Sequence, residues 1–152
     1  MRITKEYKFY YGHRNQELSD KCFRPHGHDA KIFITFNVKR EGNLTTLFGD
    51  FDSKIEPWFK EAFDHRFAID KNDPLLPYLQ EYEKDHSDLG LNILPFPTSV
   101  ENVTFYIFNH IVESFGFNVE EIRYQETRTS TVVYNREDYE QDYKHFRNEG
   151  LI

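Results

Sequence analysis

The densest group of residues that could do chemistry is Cys22-Phe-Arg-Pro-His26-Gly27-His28. His26 and His28 are two residues apart, so their imidazoles point to the same side of an extended chain, and imidazole is the commonest metal ligand in proteins. His13 ends an earlier alternating segment and supplies a third imidazole if the two segments pair. Three histidines with one vacant coordination position are typical of a catalytic zinc site. The spacing therefore predicts a metal centre formed by His13, His26 and His28.

Two other interpretations of this group stay open at this point. Cys22 could be a fourth ligand, which would close the coordination and make the site structural. The His-x-His pair could also be an accident of a polar loop in a chain with seven histidines. Gly27 adds no side chain between the two histidines, so another stretch of backbone can approach closely there.

Carboxylates at two other positions could also take part in chemistry. Asp64 precedes His65, and a carboxylate beside an imidazole fixes its tautomer and raises its basicity, although many such surface pairs do nothing. Glu126 shares strand parity with Ile122 and Tyr124, which places it on an apolar face. A buried carboxylate needs a partner, and a ligand with several N–H donors would serve. The simpler interpretation is a strand-end glutamate bonded to the turn after it.

Composition limits the partners of this chain. Lys and Arg number 19 against 26 Asp and Glu, and a formal charge of −7 works against binding to nucleic acid or to an anionic membrane. A local basic or metal-bearing pocket still permits an anionic small molecule. The single cysteine excludes an intramolecular disulfide, and neither a membrane span nor the apolar core of a signal peptide is present. We therefore expect a cytoplasmic protein with no nucleic-acid or membrane partner.

The elements that must position these residues are visible in the hydrophobic periodicity. Four segments alternate as half-buried strands do, and the first two predict a hairpin of long strands. These segments are Tyr7 to His13, Asp29 to Lys39, Val119 to Glu126 and Thr129 to Tyr134.

Helical stripes cover two further segments between the strand pairs. One spans Asp52 to Phe63, where Pro57 is tolerable only near the first turn. The other begins at a capping box, Thr98-Ser-Val-Glu101, and ends at Gly116. The order strand, strand, helix, helix, strand, strand predicts an α+β fold, a four-stranded antiparallel sheet with two helices on one face.

The length of 152 residues predicts a single domain over 1–152. Residues 71–97 hold four prolines and mixed charge, which predicts a long surface insertion with one short helical turn. The charged segment 136–149 carries Tyr139, Tyr143 and Phe146 at helical spacing, and we expect it to form a C-terminal helix, docked or partly frayed.

Taken in order, these residues resemble the 6-pyruvoyltetrahydropterin synthase and 6-carboxytetrahydropterin synthase family. The resemblance covers most of the chain, and seven short motifs in one order are more specific than any one of them. The motifs are Phe9-Tyr-Tyr-Gly-His13-Arg14, Cys22-Phe-Arg-Pro-His26-Gly-His28, Gly49-Asp50-Phe51, Asp64-His65, Pro97-Thr98-Ser-Val-Glu101-Asn102, Gln125-Glu126-Thr127 and Val133-Tyr134.

The resemblance implies a T-fold whose subunits assemble into an oligomeric barrel, commonly a hexamer built as a dimer of trimers with active sites at subunit interfaces. It implies that His13, His26 and His28 bind Zn²⁺ and that Cys22 is a catalytic thiol beside the metal rather than a ligand of it.

The remaining site residues are also implied by the resemblance. Asp64 and His65 resemble the second catalytic acid/base unit. Glu126 resembles the carboxylate that anchors the pterin ring, and Thr98 and Thr127, in the matching motifs, are expected to bind substrate with it.

The implied substrate is 7,8-dihydroneopterin triphosphate. Carboxy-branch enzymes are lyases that release acetaldehyde and triphosphate, yield 6-carboxy-5,6,7,8-tetrahydropterin and serve 7-deazaguanine and queuosine synthesis. The three residues between Cys22 and His26 resemble the bacterial carboxy enzymes, whereas Glu101-Asn102 and Val132-Val133-Tyr134 also resemble the pyruvoyl enzymes. We expect the carboxy activity, with a 6-pyruvoyltetrahydropterin synthase that only eliminates triphosphate and a non-catalytic zinc- or pterin-binding protein as alternatives.

Three features depart from the family pattern. Tyr10-Tyr11-Gly12 precedes His13 in place of small residues, and phenylalanines rather than leucines surround Asp64-His65. The insertion at 71–97 is long. The first two departures bear on the shape of the substrate pocket, and the third suggests an added function or a lid.

Overall fold

The chain forms six strands and four helices, and the computed structural model describes all residues from 1 to 152. The strands are β1 (Arg2–His13), β2 (His26–Asn37), β3 (Arg66–Asp70), β4 (Leu91–Leu94), β5 (Val119–Thr127) and β6 (Ser130–Asn135). The helices are α1 (Phe48–Ala62), α2 (Leu76–Asp85), α3 (Val100–Phe115) and α4 (Arg136–Asn148).

All six strands belong to one sheet in the order β4-β3-β1-β2-β5-β6. The pairs β1–β2, β2–β5 and β5–β6 are antiparallel, as predicted, which confirms the α+β class. The predicted count of four strands is wrong, because β3 pairs parallel to β1 and β4 pairs parallel to β3. These strands have five and four residues, and short strands in parallel pairs show no alternation that a sequence pattern could detect.

The segment 71–97 is more regular than predicted. It contains the ten-residue helix α2 as well as β4, rather than one short turn. Pro77 stands in the first turn of α2, where the missing amide hydrogen breaks no helical bond. The prolines that led us to expect an irregular segment therefore lie within or beside regular elements.

Two details of the other helices also differ from the prediction. Pro57 lies well inside α1, because this helix begins at Phe48 rather than near Asp52. The N-cap of α3 is Ser99 rather than Thr98, and its hydroxyl accepts from the amide of Asn102 at 3.3 Å. The end of α3 is as predicted: Gly116 has φ 72°, the left-handed conformation that glycine adopts without strain.

One face of the sheet and the helices share a single core of 27 buried residues. Along β1 the odd residues Tyr7, Phe9 and Tyr11 are buried, whereas their even neighbours Lys8 and Tyr10 are exposed. The far face of the sheet is therefore uncovered within one chain. No helix combines the length and apolarity that crossing a lipid bilayer would require.

The C-terminal segment forms α4, which is docked on the core. Phe146 stacks on Phe96 with ring centroids 4.8 Å apart, and Tyr139 stacks on Phe108 at 4.5 Å. Asn135 caps the helix by accepting from the amides of the first turn.

Candidate metal centre

The pairing of β1 with β2 brings the three histidines together. His13 lies directly opposite His26 in the antiparallel register, and Tyr11 lies opposite His28. Because His26 and His28 are two residues apart, their side chains share the face of the sheet on which His13 stands. The Cβ that any other residue would add at Gly27 would lie 3.3 Å from the carbonyl oxygen of Tyr11, a tight contact that favours glycine at this position.

The imidazole nitrogens converge on one point. One ligand atom from each of His13, His26 and His28 lies within 4.8 Å of the other two. Nε2 of His13 is 3.0 Å from Nε2 of His26 and 3.1 Å from Nε2 of His28. Cys22 is not a member of this cluster, so the geometry gives no support to a closed site with four ligands.

Backbone carbonyls fix the tautomer of two of these rings. Nδ1 of His13 is 2.7 Å from the carbonyl oxygen of Thr98, and Nδ1 of His26 is 2.7 Å from that of Arg24. A carbonyl oxygen only accepts, so Nδ1 carries the hydrogen in both rings and each neutral Nε2 presents a lone pair. Two facing lone pairs 3.0 Å apart repel each other unless a cation lies between them. The three side chains therefore fit a metal ion.

Burial favours the neutral form, which a metal requires, in two of these imidazoles. Burial first, and then the neighbouring histidines, lower the pKa of His13 from 6.5 to about 4. Burial also lowers the pKa of His28, against the opposing effect of Glu126. At neutral pH both rings are ready to act as ligands.

The histidines open onto a cleft of about 540 Å³ that also contains Cys22, Glu126 and Thr127. Oε1 of Glu126 lies 3.6 Å from Nε2 of both His13 and His28. The cleft thus combines three converging imidazoles, a thiol and a carboxylate. Glu101 and Lys21 add one charge of each sign to its wall.

The thiol of Cys22 is half-buried and forms no disulfide. Partial burial, and then the carboxylate of Asp20, raise its pKa above the ordinary value of 9.0. The positive charge of Lys21 lowers this pKa but is too weak to outweigh the other effects. The protein's own charges therefore favour the protonated thiol.

Three of the predicted residues lie outside this cleft. Thr98 is buried, and its hydroxyl donates to the carbonyl oxygen of Arg14 at 2.9 Å, so it supports the ligand loop instead of lining the cavity. Oδ2 of Asp64 accepts from Nδ1 of His65 at 3.0 Å, as the hypothesis of a coupled pair requires. The side chain of His65 is 79 % exposed and lines a neighbouring depression with Tyr10 and Arg66, which shares only His28 with the cleft.

Sequence reasoning missed the role of Tyr11. Its buried hydroxyl donates to Oε1 of Glu126 at 3.1 Å, and its ring packs against His13 and His28. The available signal was parity, because Tyr11 is two residues before His13 on the same strand face. The sequence suggested only that this bulky residue would change the pocket.

The fold and the site together define a class: a mixed, mainly antiparallel sheet with helices on one face, which carries a cluster of three histidines able to hold a metal ion, in a cleft with a free thiol. The sequence profile of the family described as 6-pyruvoyl tetrahydropterin synthase matches residues 2–137. The chain belongs to this family, which confirms the resemblance.

Similarities to individual proteins agree with this family assignment. The 6-carboxy-5,6,7,8-tetrahydropterin synthase of Haemophilus influenzae is 25% identical over 138 residues, which cover 88% of this chain and 97% of that protein. An uncharacterized protein of Wolinella succinogenes has the same fold, with a TM-score of 0.72 at 20% identity over 90% of this chain and 98% of that one. The 6-pyruvoyl tetrahydropterin synthase of Plasmodium falciparum aligns with a TM-score of 0.64 at 16% identity, covering 90% and 97% of the two chains.

Proposed function

We propose that this protein is a zinc-dependent lyase that converts 7,8-dihydroneopterin triphosphate and one water to 6-carboxy-5,6,7,8-tetrahydropterin, with release of acetaldehyde and triphosphate. The observation that carries the proposal is the convergence of His13, His26 and His28 on one point of a cleft that also holds Cys22 and Glu126. Three imidazoles without a fourth protein ligand leave room for substrate oxygens. The all-nitrogen donor set suits Zn²⁺.

Each residue of the cleft has a role in this proposal. When bound, Zn²⁺ would supply Lewis acidity toward the side-chain hydroxyls of the pterin. Glu126 accepts hydrogen bonds from the N–H groups of the pterin ring, and Thr127, exposed at the mouth of the cleft, contributes a further polar contact. The positive charge of bound Zn²⁺ would favour the thiolate of Cys22, which would remove the first proton from the substrate side chain.

A second copy of the chain completes the proposed site. Asp64 orients His65 through the 3.0 Å bond, but His65 does not line the cleft of its own chain. We assign the second proton transfer to the Asp64–His65 pair of a neighbouring subunit in a homo-oligomer, for which a hexamer is the family's usual form. The uncovered face and free edges of the sheet leave surface for such an assembly.

The carboxy product is favoured over the pyruvoyl product by two observations. Three residues separate Cys22 from His26, and a relative that aligns over 97% of its own length is named a 6-carboxy-5,6,7,8-tetrahydropterin synthase. The pyruvoyl reaction is the second candidate, because the matching family profile carries that description.

The direct test is turnover. Zinc-loaded protein is incubated with 7,8-dihydroneopterin triphosphate, and the products are identified by mass spectrometry. We expect triphosphate, acetaldehyde and the carboxy product in equal amounts. The pyruvoyl compound without acetaldehyde would select the second candidate, and release of no triphosphate would overturn both.

Variants test the role of the thiol. Cys22→Ala should lower kcat at least about 100-fold, the usual loss when a positioned acid or base is removed. Ser19→Ala is the matched control, because Ser19 is an exposed residue of the same connection. Undiminished turnover by Cys22→Ala would remove the thiol from the mechanism.

A further inference from the structure

Three consecutive residues after His13 tie the segment that carries Cys22 to the chain that follows β3. The guanidinium of Arg14 donates to both carboxylate oxygens of Asp73 at 2.7 Å. The amide of Asn15 donates to the carbonyl oxygen of Cys22 at 2.8 Å. The side-chain amide of Gln16 donates to Oδ2 of Asp70 at 2.9 Å. Asn15 thus holds Cys22, and buried carboxylates hold the two neighbours of Asn15.

The ion pair between Arg14 and Asp73 is the strongest of these ties. Asp73 is 2% exposed and Asp70 is 4% exposed, so neither carboxylate is solvated by bulk water. A two-pronged bond between guanidinium and carboxylate fixes orientation as well as distance. The outer face of the same guanidinium lies 4.6 Å from the ring centroid of Phe23, the residue next to Cys22. Arg14 is therefore held by Asp73 and in turn supports Phe23.

The backbone hydrogen bonds of the connection between β1 and β2 do not attach it to other elements. The backbone amides of Asn15, Leu18, Phe23 and Arg24 all bond to carbonyls inside residues 15–22. Between β1 and β2 the only regular structure is a single 3-10 turn at Lys21–Phe23. The orientation of the segment against the cleft therefore depends on side-chain contacts to other elements.

We propose that Asp73 and Asp70 are positioning residues, which act through Arg14 and Gln16 to hold Cys22 at the three-histidine cleft. This gives a role to the start of the 71–97 segment, because the strand β3 and the turn after it present both carboxylates to the Cys22 connection. The structural claim stands on the contacts alone. Its catalytic consequence rests on the proposed function, in which Cys22 transfers a proton.

The test is the reactivity of the only cysteine in the folded, full-length protein. Asp73→Asn keeps the shape of the side chain, so Arg14 loses the charged partner and one of the two acceptors. Alkylation of Cys22 by iodoacetamide, followed by mass spectrometry, should become about tenfold faster, because local opening of the connection becomes easier. The melting temperature and the zinc content per chain are measured on the same samples.

Asp52→Asn is the matched control. Its carboxylate accepts from Nζ of Lys5 at 2.8 Å and from the hydroxyl of Tyr7 at 3.0 Å, far along β1 from the cleft. This variant should lose stability without any change in the alkylation rate of Cys22. If Asp52→Asn accelerates alkylation as much as Asp73→Asn does, the effect is general loosening and the proposal fails.

Phe23→Leu decides the outcome if Asp73→Asn does not fold. Phe23 is 43% exposed, so the substitution leaves the core intact while it removes the aromatic contact with Arg14. Alkylation should become about threefold faster, which corresponds to the loss of one exposed cation–π contact. An alkylation rate equal to that of the unmodified protein in every folded variant would overturn the proposal.

Turnover separates this inference from the proposed function. Alkylation requires neither zinc nor a pterin, so its result stands even if the unmodified protein fails to convert 7,8-dihydroneopterin triphosphate. If that conversion occurs, Asp73→Asn should lower kcat and leave KM within about twofold, because the substrate contacts of Glu126 remain. A change confined to KM would contradict a role in positioning the thiol.

Discussion

Tyr11 and Glu126 are joined by a hydrogen bond of 3.1 Å between the phenol hydroxyl and Oε1 of the carboxylate. The same oxygen lies 3.6 Å from Nε2 of both His13 and His28. One carboxylate oxygen is thus held beside the three-histidine cluster, and Oε2 remains free for a ligand. Tyr11 determines how the proposed pterin anchor faces the cleft.

Replacing Tyr11 with Phe should weaken substrate binding. The ring and its packing remain, and only the bond to Glu126 is lost, so KM for the pterin triphosphate should rise about fivefold, as expected for one hydrogen bond worth about 1 kcal/mol. The zinc content should not change. Tyr78→Phe is the matched control, because Tyr78 is 75% exposed on α2 and lies outside the cleft. Equal KM values for the two variants would contradict the role of Tyr11.

Removing one ligand should abolish tight metal binding. His28→Ala should weaken zinc affinity at least about 100-fold, since the loss of a residue that merely supports a ligand already costs 10–100-fold. Competition with a chelator measures the affinity, and elemental analysis gives the zinc content. His86→Ala is the control, because His86 stacks on the exposed ring of Tyr82. Full zinc occupancy in His28→Ala would contradict the proposed ligand set.

The metal-free protein should lose stability in mildly acidic solution. The pKa of His13 is about 4 in the folded chain and 6.5 when unfolded, so the unfolded chain binds the extra proton between these values. This contribution is complete above pH 6.5, falls as the pH decreases and is lost near pH 4. Its size is about 3 kcal/mol. Urea titration of chelated protein from pH 7 to 4 measures the effect, which His13→Gln should lack.

The C-terminal helix should contribute to stability although all but its first two residues lie beyond residue 137, where the match to the family profile ends. Phe146→Ala removes a buried ring that packs on Phe96 and Phe105, and should cost about 3 kcal/mol in the free energy of unfolding. Lys144→Ala, on the exposed side of the same helix, should change it by less than about 0.5 kcal/mol. Equal urea midpoints for the two variants would show that α4 is not part of the cooperative core.

The sequence predicted the metal-ligand cluster because strand parity is a strong geometric rule. Once β1 and β2 were expected to pair, the spacing of His26 and His28 placed both rings on one face. The expected hairpin put His13 within reach, and the register of the pair confirms the convergence. The family resemblance supplied the remaining roles, which spacing could not.

Other features depend on contacts between residues distant in sequence. Asp73 contacts Arg14 across 59 residues, and Tyr11 contacts Glu126 across 115. No local pattern encodes such pairs. The pattern of the short strand β4 could not be recognised among the prolines around it. The pKa of Cys22 depends on its burial and on Asp20 rather than on residue type.

The position of His65 has a consequence for how activity must be assayed. Its ring points into solvent beside Tyr10, at a backbone φ of 58° that non-glycine residues seldom adopt. If its proton is delivered to another copy's cleft, specific activity will fall on dilution although every chain remains folded. Mixing two inactive variants, Cys22→Ala and His65→Ala, would then restore part of the rate, because some mixed interfaces would carry both intact groups.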